Sequence, residues 1–173
     1  MARRQILSLS ERESLLALPD DELTLTRMAY FSEQDLAFIN AHRKPASRFG
    51  FAVLLCYLKN IGFAPDKKSS PPAELLRVIG NRLKLSAELW QEYISGRDTT
   101  RREHLGELYR YLELKAFNGA LQKECIQHLL PLSTRTDRGI LIAEELLKRL
   151  HQQRIIIPGI DVVERTCAEG RCE

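Results

Sequence analysis

The sequence predicts an all-α protein, a bundle of about eight to ten short helices. Apolar residues recur with helical spacing along most of the chain, for instance at Leu75, Leu76, Ile79 and Leu83. No stretch alternates convincingly between apolar and polar residues, as a half-buried strand would. The chain has 173 residues, 44% of them apolar and 28% charged, which is enough to bury the core of one domain or of two small ones.

N-capping residues and prolines mark where the predicted helices begin and end. Ser8 or Ser10 can cap a first helix that stops at Pro19, and Ser32 with Asp35 forms a capping signature for a second helix. Residues 46–59 are the most apolar segment and predict a buried helix. Further helices are predicted from Pro71-Pro72, from Ser86 to Gly96, from Asp98-Thr99, over 118–130 with a stop at Pro131, from Asp137 to His151, and over 160–167 after the extended connector 155–158.

Residues 73–95 also fit a helix-turn-helix element with its turn at Leu85-Ser86. The second helix of this element exposes Glu88 and Glu92, which DNA phosphates would repel, so we expect the helix that starts at Thr99 to be the recognition helix. For the domains, we predict a helical DNA-binding domain over residues 1–115 and the start of a second helical subdomain over 116–173.

The composition argues against several classes of protein. The longest apolar run, Phe51 to Cys56, is far too short to cross a membrane, and no apolar stretch follows the N-terminal Met1 as in a signal peptide. The four cysteines form no close pair and the four histidines are scattered, so we expect no metal, no cofactor and a reducing, cytoplasmic environment. Phosphate-binding glycine loops and hydrolase motifs do not occur, so we expect no catalysis by this chain.

Basic residues are concentrated in one segment of the chain. Residues 42–84 hold nine lysines and arginines against two acids, a net charge of +7, whereas residues 10–35 carry −5 and the whole chain +3. A concentrated basic segment suits a polyanion, because each contact to a phosphate releases condensed counterions. The alternative interpretation is a solvated basic face without a ligand.

Two helix starts combine basic and hydroxyl residues in the way that phosphate binding requires. Free N–H groups and the helix dipole favour an anion there, while an arginine such as Arg101 or Arg102 can reach a base edge or another phosphate. For the second start, an N-cap followed by a charged surface turn is the alternative. The candidate DNA contacts are Arg43, Lys44, Ser47 and Arg48 at the first start, and Thr99, Thr100, Arg101 and Arg102 at the second.

Four stretches, in the same order and spacing, resemble the N-terminal region of Tn3-family transposases. Residues 11–19 resemble the family's opening helix, and residues 48–59 resemble its Arg-Leu-Gly-Phe-Ala-Val-Gln-Leu-Cys-Tyr-Leu-Arg signature. Residues 100–105, Thr-Arg-Arg-Glu-His-Leu, match the family motif letter for letter. Residues 136–140, followed by 157–158 and 163–165, complete the set, so the similarity extends from about Ile6 to Glu169.

This resemblance implies a helical region that binds double-stranded DNA at the terminal inverted repeats of a transposon. It also implies that the chemistry of transposition belongs to a downstream RNase H-like domain with acidic metal ligands, which these residues do not include. The alternative is a protein-interaction role, in which the chain assembles with full-length transposase or with itself, or competes with the transposase for the same DNA ends. Carried over residue by residue, the resemblance implies DNA contacts at Arg48, Thr100, Arg101, Arg102 and His104.

Overall fold

The computed structural model describes residues 5–68 and 70–172, and it confirms the all-α prediction. Within those two ranges there are ten helices and no strand, and none of the helices combines the length and apolar content that crossing a bilayer requires. The helices are α1 (Leu9–Leu16), α2 (Glu22–Met28), α3 (Glu33–Asn40), α4 (Pro45–Asn60), α5 (Ala73–Leu83), α6 (Leu89–Ile94), α7 (Asp98–Tyr111), α8 (Gly119–Ser133), α9 (Gly139–Gln152) and α10 (Ile160–Cys172).

The described residues pack as two units. Helices α2 to α7 form a central unit within residues 18–113, while α1, α8, α9 and α10 belong to a split unit within residues 1–17 and 114–173. The chain therefore leaves the split unit after α1 and returns to it at Leu114. The division into domains 1–115 and 116–173 stays a prediction.

Helix α4 forms the core of the central unit. Its residues from Phe49 to Leu58 are all buried, because α2, α3, α5, α6 and α7 pack against it from different sides. Gly50 lets α6 approach closely, since a Cβ atom at this position would lie 2.2 Å from the ring of Tyr93. The most apolar segment of the sequence is thus the buried helix that its composition predicts.

A buried carboxylate ties α3, α4 and α7 together. Asp35 is only 2% exposed and forms a capping box with Ser32 at the start of α3. It also accepts hydrogen bonds from Lys59 Nζ at 2.8 Å and from the Tyr111 hydroxyl at 2.6 Å. Burial by itself would raise the pKa of Asp35, but these hydrogen bonds outweigh it and hold the pKa below its ordinary value.

In the split unit, a second buried carboxylate holds the residues that precede α1. Glu164 of α10 is 5% exposed; it accepts a hydrogen bond from the Ile6 N–H at 2.9 Å and forms an ion pair with Arg12. At the start of α9, a Cβ atom on Gly139 would lie 2.4 Å from the Ile6 carbonyl oxygen. The backbone around Ile6 is therefore packed closely between α9 and α10.

The predicted N-cap at Ser32 is confirmed, and of the two alternatives for the first helix, Ser8 and Ser10, the structure has Ser8. Each capping side chain accepts a hydrogen bond from the N–H three residues later. The predicted helix stop at Pro131 is wrong: this proline lies inside α8. So close to the end of a helix, proline removes only one backbone hydrogen bond, and the N–H of Thr134 still reaches the carbonyl of Leu130 at 3.3 Å.

Helix α2 lies where the sequence analysis predicts no helix. Only Leu25 and Met28 of its seven residues are buried, so its apolar pattern is too short to show a helical period. The side chain of Asp21 caps it by accepting a hydrogen bond from the N–H of Thr24 at 2.9 Å. The tertiary contacts of α2 with α4 and α5 therefore supply what its own pattern lacks.

Candidate nucleic-acid interface

The first predicted contact segment is the turn before α4 together with the first residues of that helix. Arg43 and Lys44 are exposed, and Ser47 is half-buried. Lys44 is the N-cap residue and Pro45 begins the helix, but no side chain caps the free N–H groups. This helix start therefore combines two exposed cations with backbone donors that no capping side chain holds, a combination that favours a phosphate.

The second predicted contact segment is the first turn of α7. Arg97 is its N-cap residue, and again no side chain provides a cap. Asp98 forms an ion pair with Lys67, whose hydrogen bond lowers the pKa of Asp98. The predicted contacts on this turn are two exposed side chains, Thr99 and Arg102, and the half-buried Thr100.

Two arginines of the predicted set are directed toward the protein's own backbone. The Nε atom of Arg48 donates to the carbonyl oxygen of His42 at 2.7 Å and so braces the turn before α4. A terminal nitrogen of Arg101 donates to the carbonyl oxygen of Pro65 at 2.6 Å, while its Nε is buried without a hydrogen-bond partner. Both side chains thus have an architectural function beside any contact with a ligand.

The structure places His104 in the core of the central unit. Its side chain is 5% exposed, its Nδ1 shares a hydrogen bond with the Tyr93 hydroxyl at 2.9 Å, and the two rings are parallel with centroids 5.7 Å apart. Burial, with a smaller contribution from the neighbouring His42, lowers the pKa of His104 to about 4. A neutral, buried imidazole cannot reach a phosphate on the surface, so His104 does not enter our proposal as a DNA contact.

The first predicted segment packs against α7, the helix that carries the second predicted segment. The ring centroids of His42 and His104 lie 4.5 Å apart, and the Nε2 atom of His42 lies 3.4 Å from a carboxylate oxygen of Glu107. The turn before α4 therefore rests against the middle of α7. Arg102 precedes the inward-facing His104 by two positions, about 200° around the helix, which directs it to the outside.

Sequence reasoning misses two features beside these segments. Lys67 belongs to the basic segment, but only the fold brings it to the start of α7. A groove of about 580 Å³ lies between α3 and α7, and nothing in the local sequence indicates it because its walls are far apart in the chain. The residues that line the groove are Phe38, Ala41, His42, Glu107, Arg110 and Tyr111.

In the part of the chain that the structure describes, no three histidine, cysteine or acidic side chains are grouped so that they could hold a metal ion. Cys56, Cys125 and Cys167 are buried free thiols. Burial raises the pKa of Cys56 and of Cys167 to about 12, so both thiols are protonated at neutral pH. These cysteines pack as apolar side chains.

Comparison with known proteins adds to this geometry. The chain is 57% identical over 170 residues to the transposase for transposon Tn2501 of Escherichia coli, and 42% identical over 170 residues to the transposase for transposon Tn21 of the same organism. It is 38% identical to the transposase for transposon Tn501 of Pseudomonas aeruginosa. Each match covers 98% of this chain but only 17% of the relative.

The resemblance to Tn3-family transposases is thereby confirmed along nearly the whole chain. Because the chain spans about one sixth of their length, the names of these relatives describe much larger proteins. A family model described as a domain of unknown function, DUF4158, matches residues 6–170. By this match, the chain belongs to the DUF4158 family.

Proposed function

We propose that this chain is a DNA-binding module that recognises the terminal inverted repeats of a transposon. The exposed cations at the starts of α4 and α7 would contact phosphates and so set the register of the protein on the duplex. Exposed side chains on the first turn of α7, above all Arg102, would read one groove. Cutting and joining of DNA would belong to other parts of a transposase.

The observation that carries this proposal is that two helices packed against each other, α4 and α7, both have uncapped starts with exposed cations. Neither α4 nor α7 has a side-chain cap, and exposed basic residues, Lys44 and Arg102, accompany them. The contact between the His42 and His104 rings packs the turn before α4 against the middle of α7. A net charge of +7 over residues 42–84 supplies the field that attracts a polyanion.

The similarity to transposases for several transposons supports a role in DNA recognition, since such an enzyme has to find the ends of its own element. The direct test is a fluorescence-anisotropy titration of this chain against an inverted-repeat duplex and a scrambled duplex of equal length. We expect a preference of about tenfold or more, equivalent to about 1.4 kcal/mol. Affinity should fall steeply between 50 mM and about 300 mM salt, and an affinity independent of salt would refute phosphate contact.

Variants at the two helix starts locate the interface. Replacing Arg43 and Lys44 together by alanine should reduce the slope of log affinity against log salt by about two, since two phosphate contacts are lost. Arg102→Ala should weaken binding by about 1–3 kcal/mol and reduce the preference for the inverted repeat. The matched control, Lys123→Ala with Lys148→Ala, removes two exposed charges of the split unit and should leave the salt slope unchanged. Equal losses in all these variants would argue against the proposed surface.

A second candidate function is protein interaction, and one observation favours it. Helix α1 buries none of its residues, and Leu9 and Leu16, which lie on one face two turns apart, are 72% and 42% exposed. Such a face would suit assembly with full-length transposase or with a second copy of this chain. Leu9→Glu with Leu16→Glu should then abolish association in size-exclusion chromatography with light scattering, whereas Leu23→Glu, at an exposed position of the central unit, should not.

A further inference from the structure

The groove between α3 and α7 has one wall made of two aromatic rings. Phe38 and Tyr111 lie with their ring centroids 4.4 Å apart and their planes tilted by 42°. The Tyr111 hydroxyl donates to Asp35 at 2.6 Å, which fixes that ring from behind. Phe38 remains 37% exposed, so part of its surface is open to a ligand. Exposed aromatic rings are the surfaces on which nucleic-acid-binding proteins stack unpaired bases.

The remaining walls of the groove are polar and carry both signs of charge. Arg110 is exposed, and the Nε2 atom of His42 lies 3.4 Å from a carboxylate oxygen of Glu107. A guanidinium group suits a phosphate, and a carboxylate can accept a hydrogen bond from the amino group of a base. This mixture suits a nucleotide better than an apolar peptide helix, which would require an apolar floor.

The groove adjoins the turn before α4, which carries two of the predicted DNA contacts. The His42 ring lines the groove, and the next two residues of the chain are the exposed Arg43 and Lys44. DNA held at this turn would therefore pass the mouth of the groove. Its volume of about 580 Å³ lies within the range of small-ligand pockets, about 300–1,000 Å³.

We propose that the groove receives one unpaired nucleobase of the bound DNA, stacked on Phe38, with Arg110 at the adjoining phosphate. This inference rests on the proposed DNA-binding function and extends it, because none of the predicted DNA contacts lies on this aromatic wall. Taking a base out of a duplex costs stacking and pairing energy, and a mismatched base costs least. A mismatch at the position that meets the groove should therefore tighten binding.

The test measures the affinity for the fully paired inverted-repeat duplex and for a series of variants of this duplex. Each variant carries one mismatched base pair at a different position. For the wild-type chain, we expect at least one mismatch to raise affinity by about 5- to 100-fold, the fold-change that stacking of one base provides. Phe38→Ala should abolish this gain, because it weakens binding of the mismatched duplex more than binding of the paired duplex. Phe38→Tyr keeps an aromatic ring and should retain the gain. Urea unfolding midpoints of both variants verify that the fold is intact.

Tyr30 provides the matched control, since its ring is 60% exposed in the same unit but does not line the groove. Tyr30→Ala should retain the gain from the mismatch. Equal affinity of the wild-type chain for paired and mismatched duplexes would overturn the inference and leave inverted-repeat recognition standing. A higher affinity for mismatched duplexes without any preference for the inverted repeat would support base binding in the groove and contradict recognition of the inverted repeat. Binding to neither kind of duplex, or an equal loss on both with Phe38→Ala, would overturn the role of the groove.

Discussion

The buried His104 makes the stability of the central unit dependent on pH, and this dependence can be worked out from the structure. Burial, reinforced by the nearby His42, lowers the pKa of His104 from 6.5 to about 4 in the folded chain. The unfolded state therefore binds a proton at higher pH than the folded state does. Stability from this group is fully present above about pH 6.5 and is lost as the pH falls toward 4.

The magnitude follows from the shift. A difference of about 2.5 in pKa, at 1.36 kcal/mol per unit, corresponds to about 3 kcal/mol of unfolding free energy. Asp35 contributes in a different window: its folded pKa lies below 3.8, so its stabilising effect is present above that value and is lost only at lower pH. Between pH 7 and about 4, therefore, the stability changes through the titration of His104 and not through that of Asp35.

The assay is urea unfolding, followed by circular dichroism at several values between pH 7 and 4, for the wild-type chain and for His104→Gln. Glutamine can still accept the hydrogen bond from the Tyr93 hydroxyl, but it does not titrate. We expect the stability difference between the two chains to change by about 3 kcal/mol across the interval. His151→Gln, at an exposed position, is the matched control and should follow the wild-type curve. Parallel stability curves for wild type and His104→Gln would show that His104 does not titrate with a lowered pKa in the folded chain.

Three further predictions concern packing and hydrogen bonding. Gly50→Ala should lower stability by about 1–3 kcal/mol in urea unfolding, because the new Cβ atom meets the Tyr93 ring at 2.2 Å; an unchanged midpoint would show that the ring can move aside. Arg101→Ala should cost about 1–3 kcal/mol of stability, since it removes the hydrogen bond to the loop before α5, and an intact unfolding midpoint would contradict this anchoring role. Glu164→Gln should lower stability by a similar amount and speed hydrogen exchange at the Ile6 amide, which donates to this carboxylate. Unchanged exchange at Ile6 would contradict a stabilising role of this hydrogen bond.

Much of the fold can be predicted from the sequence because it depends on neighbouring residues. The capping box of Ser32 and Asp35 joins residues only three positions apart, so the sequence predicts it, whereas for the first helix the sequence leaves Ser8 and Ser10 as alternatives. The apolar run of α4 predicts a buried helix, since so many adjacent apolar side chains can be removed from water only if every face is covered. Helix α2 is not predicted from the sequence, because its packing against α4 and α5 stabilises it rather than a local apolar pattern.

The candidate site divides in the same way. Its basic charge and its two helix starts are properties of short segments, so they can be predicted from the sequence, as can the family. The inward direction of His104 toward Tyr93 and the hydrogen bond from Arg101 to a backbone carbonyl depend on the folded structure. It alone brings Phe38 of α3 beside α7 to form the groove. The burial and direction of a side chain depend on which residues pack against it. Where those residues are distant in the sequence, the local pattern does not indicate them.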